Sequence, residues 1–460
     1  MVTLRRILAA LLILIAAGTL ALWLKPPDLL RVGANYAAKT VCSNVYLAGR
    51  EADEVLSSDV QAPGIWLLRW LRVSIDKQHG VVRAGFLGFI GNGLAVSRGG
   101  AGCTNVADGK LDQVAVPAPR PSVLPAGADA ATGATAAAGG DARLWPDGDA
   151  VSLVPAVQKV LFDDAFTGPG LRAALVIGHG RIVGERYAPG FSADSRLLGW
   201  SMAKTVTAGL VGLLVKDGKL TLDQSGFWPP GDGRDHIRIA DLLAMSSGLR
   251  FNEDYGAVSD VTRMLYLEPD AAGFAYSQPL AHPTGEVWSY SSGTANIVAR
   301  IVQDTAGGSI WIQDRLFVPL GMRSAIIEPD EHGTLVGSSY MYAAARDWAR
   351  YAQFLLQDGA WQGQQMLPEG FVDMMATPVA ASEGQYGHGF VWLGGRSDAA
   401  FGIPADTFYL SGHDGQTIAV IRSRQLVVVR LGLTPYSDNY SPQRLIQAVL
   451  EAADPNPSKN

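Results

Sequence analysis

Gly199-Trp200-Ser201-Met202-Ala203-Lys204 is the stretch on which the reading of this chain turns. From Ser201 to Lys216 the residues favour a helix, which Asp217 and Gly218 would stop. Ser201 then stands at the helix head, and residues three apart share a helix face, so Lys204 can reach over it. A serine hydroxyl is a weak nucleophile near neutral pH and needs a base within hydrogen-bond reach. The first helical turn adds unpaired N–H groups and partial positive charge, which favour an anionic intermediate. By itself an S-x-x-K is a weak signal, and the bland reading of an N-cap serine beside a solvated lysine competes evenly. A second match, Ser74 to Lys77, lies in a strand-like stretch with no helix after it and reads as accidental.

Around this core the periodicity predicts an α+β domain over residues 149–455. Leu171 to Gly178 and Arg181 to Tyr187 read as a hairpin turning at His179-Gly180. Helical patterns recur at Ile239 to Met245, Thr294 to Thr305, Ala343 to Leu356 and Pro442 to Ala452. Thr417 to Arg422 and Gln425 to Leu433 are β-branched strands joined by a short turn. Strands at both ends with helices between them predict one antiparallel sheet closed by the two ends, flanked by helices, with a helical insertion.

Upstream, residues 113–148 are built of Ala, Pro and Gly and read as a linker. Residues 40–112 read as a small β-rich N-terminal extension, with strands at Val41 to Leu47, Gly80 to Ala84 and Gly93 to Ser97, and a helix-like stretch from Ile65 to Leu71. The chain's two cysteines, Cys42 and Cys103, are read as a disulfide in an oxidising compartment, with two separate buried thiols as the alternative. Residues 1–25 carry Arg5 and Arg6 before an uncharged run from Ile7 to Leu24. As a helix that run would span about 27 Å, close to a bilayer core. It is read as a signal anchor or a cleaved signal peptide, and either way the body is exported to the periplasmic or extracytoplasmic side. With a formal charge of −6 and no Lys/Arg run, the chain offers no nucleic-acid surface. No metal or cofactor is implied, and the residues assign no oligomeric state.

Two downstream motifs favour catalysis. Tyr290-Ser291-Ser292 falls in a turn leading into the helix from Thr294, and a phenol beside a cationic lysine can serve as general acid. Ser411-Gly412-His413-Asp414-Gly415-Gln416 precedes the terminal strand pair, where a glycine allows close approach to substrate and the next N–H can complete an oxyanion hole. In this order and spacing, Ser201-x-x-Lys204, Tyr290-x-Ser292 and His413-Asp414-Gly415 resemble the penicillin-recognising serine hydrolases: class C β-lactamases, D-alanyl-D-alanine carboxypeptidases and related esterases. Asp241-Leu242-Leu243-Ala244-Met245-Ser246-Ser247-Gly248-Leu249 and Phe317-Val318-Pro319-Leu320-Gly321-Met322 resemble it too, and Gly337-Ser338-Ser339-Tyr340-Met341-Tyr342 is most similar to the 6-aminohexanoate-dimer hydrolase branch.

The resemblance covers roughly Val151 to Ala453 and implies the fold of the serine β-lactamases and DD-peptidases. It implies that Ser201 forms the acyl-enzyme, Lys204 accepts its proton, and Tyr290 protonates the leaving group and later helps activate water. It implies backbone N–H groups of Ser201 and Gln416 as the oxyanion hole, and Ser292, His413, Asp414 and Gly415 as substrate-binding positions. Two departures stand out: Ser292 where β-lactamases carry Asn, and His413 where they carry Lys. A histidine is mostly neutral at pH 7, so the fixed cation for a β-lactam carboxylate is missing. The expected substrate is a small ester or amide. Two other readings compete: a catalytically weak or silent membrane-anchored binding or sensor protein on the same fold, and an α/β-hydrolase using His413. Trp200 reads as core packing, and His388, Tyr255 and Tyr340 are further candidates for the cleft.

Overall fold

The computed structural model describes residues 2–107, 109–114 and 151–453, so the linker expected at 113–148 lies outside the described residues apart from Gln113 and Val114. The chain forms two compact units. The first takes in the described residues up to 114 together with Asn252–Phe274 and Pro329–Gly333, and the second takes in the remainder.

The first unit opens with α1 (Val2–Leu24) and α2 (Asp28–Tyr46). Leu4–Leu24 is long and apolar enough to cross a membrane. An antiparallel sheet follows in the order β1 (Leu71–Asp76), β2 (Val81–Phe86), β3 (Ile90–Ser97) and β4 (Cys103–Asn105). The strand expected at Val41 to Leu47 is instead the last turns of α2. Its small residues explain the difference: Ala34, Ala37, Ala38 and Val41 recur at helical spacing and are fully buried. A Cβ on Gly91 would stand 2.8 Å from Leu30 O, and one on Gly93 would collide with Ala34 O, so the helix backbone lies directly on β3. Ser74 sits on β1 with Lys77 in the turn beyond it, and the helix-like Ile65 to Leu71 contains a 3₁₀ segment, Trp66–Trp70. Cys42 of α2 and Cys103 of β4 are joined as a disulfide with Cα atoms 6.0 Å apart.

The later segments complete this unit. Tyr266 packs edge-on against Tyr36 at 5.8 Å, Thr104 donates to Pro329 O at 3.1 Å, and Ala107 N–H donates to the Glu331 carboxylate at 3.0 Å.

In the second unit the strands include β5 (Leu171–Gly178), β6 (Arg181–Tyr187), β7 (Leu197–Leu198), β8 (Ile326–Ile327), β9 (Met341–Ala343), β10 (Trp392–Leu393), β11 (Thr407–Gly412), β12 (Gln416–Ile421) and β13 (Leu426–Gly432). Six form a sheet in the order β10-β11-β12-β13-β5-β6, with every pair antiparallel. The last strand closes on the first, with Val428 opposite Val176, as the strand pattern at the two ends of the domain predicts. An α/β-hydrolase sheet is parallel around its nucleophile. Here the strand before Ser201 is the two-residue β7, paired antiparallel with β9, and that alternative is set aside.

The helices of this unit include α3 (Met202–Lys216), α4 (Ser292–Ala306), α5 (Ala345–Leu356) and α6 (Pro442–Ala453). Residues Met202 to Leu214 of α3 are all buried, which marks a central core helix rather than an amphipathic surface one. Neighbours press closely on it: Tyr351 of α5 donates to Thr205 O at 2.7 Å, and a Cβ on Gly212 would stand 2.7 Å from the Phe371 ring.

The disulfide closes a 61-residue separation, and such a crosslink restricts the unfolded chain by about 4 kcal/mol. Replacing both cysteines, by Cys42→Ala with Cys103→Ala, is expected to create an early unfolding transition in the first unit during a denaturant titration. An unchanged titration would contradict the stabilising role.

Candidate active site

The chain enters the site through a sharp turn. Gly199 donates its N–H to Met341 O at 2.9 Å, and a Cβ at this position would overlap the buried Trp348 indole. Trp200 has φ +49°, a left-handed conformation that a bulky side chain adopts only where its surroundings enforce it. Its ring is buried, edge-on to His413 at 5.7 Å and tilted against Tyr340 at 6.2 Å. Ser201 follows as the N-cap of α3. Among the described residues, nothing accepts a hydrogen bond from its backbone N–H.

Lys204 lies one turn into α3 and is 1% exposed. Its Nζ is 2.9 Å from Ser201 Oγ, 3.0 Å from Ser292 Oγ and 2.9 Å from Ser338 O. It also stands 4.9 Å above the centroid of the Tyr290 ring. A buried amine needs such partners, because removing it from water uncompensated costs several kcal/mol.

Each partner is fixed by its own element. Ser291 Oγ accepts from Thr294 N–H at 3.0 Å and caps α4, which sets Ser292 at the helix start with its side chain turned inward. The Tyr290 ring is wedged between Trp392 at 5.2 Å and Tyr386 at 5.9 Å. The peptide just ahead of the Ser338 carbonyl is held at both ends: Ser338 N–H donates to Asn296 Oδ1 of α4 at 3.1 Å, and Thr207 of α3 donates to Gly337 O at 3.0 Å. A Cβ on Gly337 would stand 2.5 Å from Thr207 Oγ1 and 2.8 Å from Ala299, so only glycine fits this squeeze between two helices.

The third motif forms the turn between β11 and β12. A Cβ on Gly412 would strike Gly199 O, so this turn lies against the backbone just ahead of Ser201. Asp414 has φ +56°, and its Oδ1 is 3.3 Å from Nε2 of the half-exposed His413. Gln416 is buried, and its side-chain amide clasps Gly432, accepting its N–H at 3.0 Å and donating to its carbonyl. The Gly415 carbonyl accepts from Arg430 Nη1 at 2.9 Å. Arg430 is 1% exposed and also donates to Thr167 O, Pro169 O and Thr434 Oγ1. Among the described residues no carboxylate pairs with it, and burial lowers its pKa from the ordinary arginine value.

The structure therefore gathers Ser201, Lys204, Tyr290 and Ser292 into one cluster, and lays the turn carrying His413, Asp414 and Gly415 against Gly199 and Trp200. Tyr340 is buried against Trp200. His388 follows Tyr386, the ring that supports Tyr290, and burial lowers its pKa, which favours the neutral imidazole. Sequence reasoning missed the roles of Ser338 and Arg430. The first contributes only a backbone oxygen, which leaves no side-chain signature. The second did leave one, as an arginine inside the otherwise apolar Leu426-Val427-Val428-Val429-Arg430-Leu431.

Among characterised proteins, the chain is 26% identical over 219 residues to the 6-aminohexanoate-dimer hydrolase of Paenarthrobacter ureafaciens, covering 44% of this chain and 56% of that protein. The match thus spans little more than half of that relative's length. Solved structures resemble the chain in fold. A penicillin-binding protein homologue from Caulobacter crescentus has a TM-score of 0.51 at 17% identity, over 66% of this chain and 99% of that one. A penicillin binding protein from Bacillus halodurans has a TM-score of 0.51 at 17% identity, over 65% of this chain and 100% of that one. Residues 164–452, more than half of the chain, match the beta-lactamase family model, and the chain belongs to that family.

Proposed function

We propose that this protein is a serine hydrolase that cleaves a small ester or amide through an acyl-enzyme on Ser201. The observation carrying this reading is the buried Lys204 Nζ, held at once by the Ser201 hydroxyl, the Ser292 hydroxyl and the Ser338 carbonyl.

A carbonyl can only accept, so one Lys204 N–H is committed to Ser338. A second N–H can be taken by Ser292 Oγ. In the neutral amine the lone pair is then left for the Ser201 proton, and after transfer the ammonium keeps the same three oxygens. The proton thus moves without rebuilding the cage. Ser201 Oγ bonds to the substrate carbonyl carbon, the carbonyl electrons pass to its oxygen, and their return expels the leaving group. The Tyr290 face stabilises the ammonium, and its phenol supplies the proton the leaving group takes. The Lys204 ammonium then returns a proton to the Tyr290 phenolate. Water gives a proton to Lys204 as its oxygen bonds to the acyl carbon, Tyr290 protonates the departing Ser201 Oγ, and the same return from Lys204 closes the cycle.

The backbone N–H groups of Ser201 and Gln416 are the proposed oxyanion donors. The Gln416 N–H belongs to the same peptide as the Gly415 carbonyl, which Arg430 holds from the opposite side. A charge-assisted hydrogen bond on that carbonyl fixes the peptide plane and strengthens its N–H as a donor. His413 supplies no permanent cation at the third motif, so a β-lactam carboxylate finds no fixed partner there. We read α1 as an export signal or membrane span with the body of the protein on the extracytoplasmic side, supported by Arg5 and Arg6 ahead of it and by the Cys42–Cys103 disulfide.

A fluorophosphonate probe is expected to label the protein, and Ser201→Ala to abolish labelling. An unlabelled protein that still binds a ligand would favour the silent sensor instead. Lys204→Ala should lower ester turnover by about 10²- to 10⁴-fold, the range of a lost general base. Arg430→Met should lower kcat on a nitrophenyl ester by about tenfold, less than loss of an oxyanion donor, with KM nearly unchanged. A change confined to KM would oppose its assigned role. Nitrocefin should turn over far more slowly than short-chain nitrophenyl esters, and a faster nitrocefin rate would reverse the reading of His413.

A further inference from the structure

The first unit has one polar end and one apolar end. Asp76 pairs with Val81, so the β1–β2 turn is Lys77-Gln78-His79-Gly80, while Phe86 pairs with Ile90 and the β2–β3 turn is Leu87-Gly88-Phe89. These turns lie at opposite ends of the sheet. Helix α2 runs along β3 from the apolar end to the polar one. Leu30 backs onto Gly91, Asn35 Oδ1 accepts from Leu94 N–H at 3.1 Å, and Cys42 is joined to Cys103, which pairs with Ser97. The N-terminal end of α2 therefore marks the apolar end.

The 3₁₀ segment Trp66–Trp70 is at that end as well. Leu87 N–H donates to Trp70 O at 2.9 Å, and a Cβ on Gly33 would touch both Leu68 and Phe86. The side chains gathered there face outward: Trp66 is 69% exposed, Trp70 50%, Leu87 54%, Phe89 43% and Ile65 54%. Isolated exposed apolar residues are ordinary, but two indoles and three large apolar groups on one tip form a patch that calls for a partner. Arg69 and Arg72 are exposed beside it, and among the described residues neither is paired with a carboxylate.

Chain continuity identifies what covers this tip. Only Lys25, Pro26 and Pro27 separate Leu24, the end of the candidate span, from Asp28, the start of α2. Four residue steps reach at most about 14 Å. If α1 crosses a bilayer, the N-terminal end of α2, and with it the apolar tip, is held at the membrane surface. Indoles concentrate at that depth because they offer an apolar body and a polar N–H, while unpaired arginines meet anionic headgroups.

We propose that Ile65, Trp66, Trp70, Leu87 and Phe89 dip into the headgroup region of an anionic bilayer, with Arg69 and Arg72 on its phosphates, so that the first unit is seated on the membrane rather than tethered above it. The inference rests on reading α1 as a span. The test uses the full chain in phosphatidylglycerol nanodiscs. Single cysteines carrying an environment-sensitive fluorophore are introduced by Leu14→Cys, Trp66→Cys, Leu87→Cys and Lys77→Cys, in protein whose native cysteines are already paired, with near-ultraviolet circular dichroism as the check on folding. Labels at 14, 66 and 87 are expected to lose most of their emission to lipid-borne nitroxides, while the label at 77 responds only to a water-soluble quencher. If 14 is quenched but 66 and 87 behave like 77, the tip lies off the membrane and the proposal fails on its own. If 14 also escapes quenching, the span reading fails first and takes this surface with it.

Discussion

A lysine amine 1% exposed to solvent governs the layout of the second unit. Burying Lys204 without partners would cost several kcal/mol, a large share of any domain's net stability. Three oxygens from three separate chain segments therefore have to arrive together: Ser201 at the head of α3, Ser292 at the head of α4, and the Ser338 carbonyl from the loop ahead of β9. Two helix starts and a loop cannot converge on one nitrogen unless their backbones are close-packed. Gly337 between Thr207 and Ala299 is what permits that approach. Folding of this region and assembly of the cluster are in this sense one event.

The same closeness explains the strain beside the nucleophile. Gly199 is pinned between Trp348 and the Gly412 backbone, which leaves the chain a single residue, Trp200, in which to turn from β7 into α3. A left-handed tryptophan is unfavourable by itself, and its burial against Tyr340 and His413 offsets that cost. The result is a Ser201 backbone N–H free of helical bonding, with the Gly412 turn packed on the backbone just ahead of it. That turn is in turn braced from within the core, by the Gln416 amide on Gly432 and by the Arg430 guanidinium on Gly415.

Much of this architecture was legible because its signals are local and periodic. The hairpin Leu171 to Tyr187 and the terminal strands carry β-branched runs bounded by turn residues, and the closure of β13 on β5 follows from having strands at both ends. The motif residues were legible because side-chain chemistry is written directly in the sequence. What escaped were features without a side-chain signature or without locality. The Ser338 carbonyl is one. The recruitment of Asn252–Phe274 and Pro329–Gly333 into the first unit is another, since nothing in their own composition announces Tyr36, Thr104 or Ala107 as partners. The strand expected at Val41 to Leu47 is a third case, where the Ala34, Ala37, Ala38 face of a helix prevails. Propensity yielded there to tertiary packing, because only small residues let a helix lie on the glycines of β3.

Arg430 ties these observations to chemistry. Four neutral oxygens surround a buried guanidinium that has no acidic partner among the described residues, an arrangement that a purely structural role would meet more cheaply with an apolar residue. An unneutralised charge in a low-dielectric interior acts at longer range than one in water. The peptide between Gly415 and Gln416 meets that field at its carbonyl, and its polarisation extends to the N–H on the other side. If the Ser201 and Gln416 N–H groups are the oxyanion donors proposed above, a charge behind the Gly415 carbonyl favours carbonyl activation over carboxylate recognition.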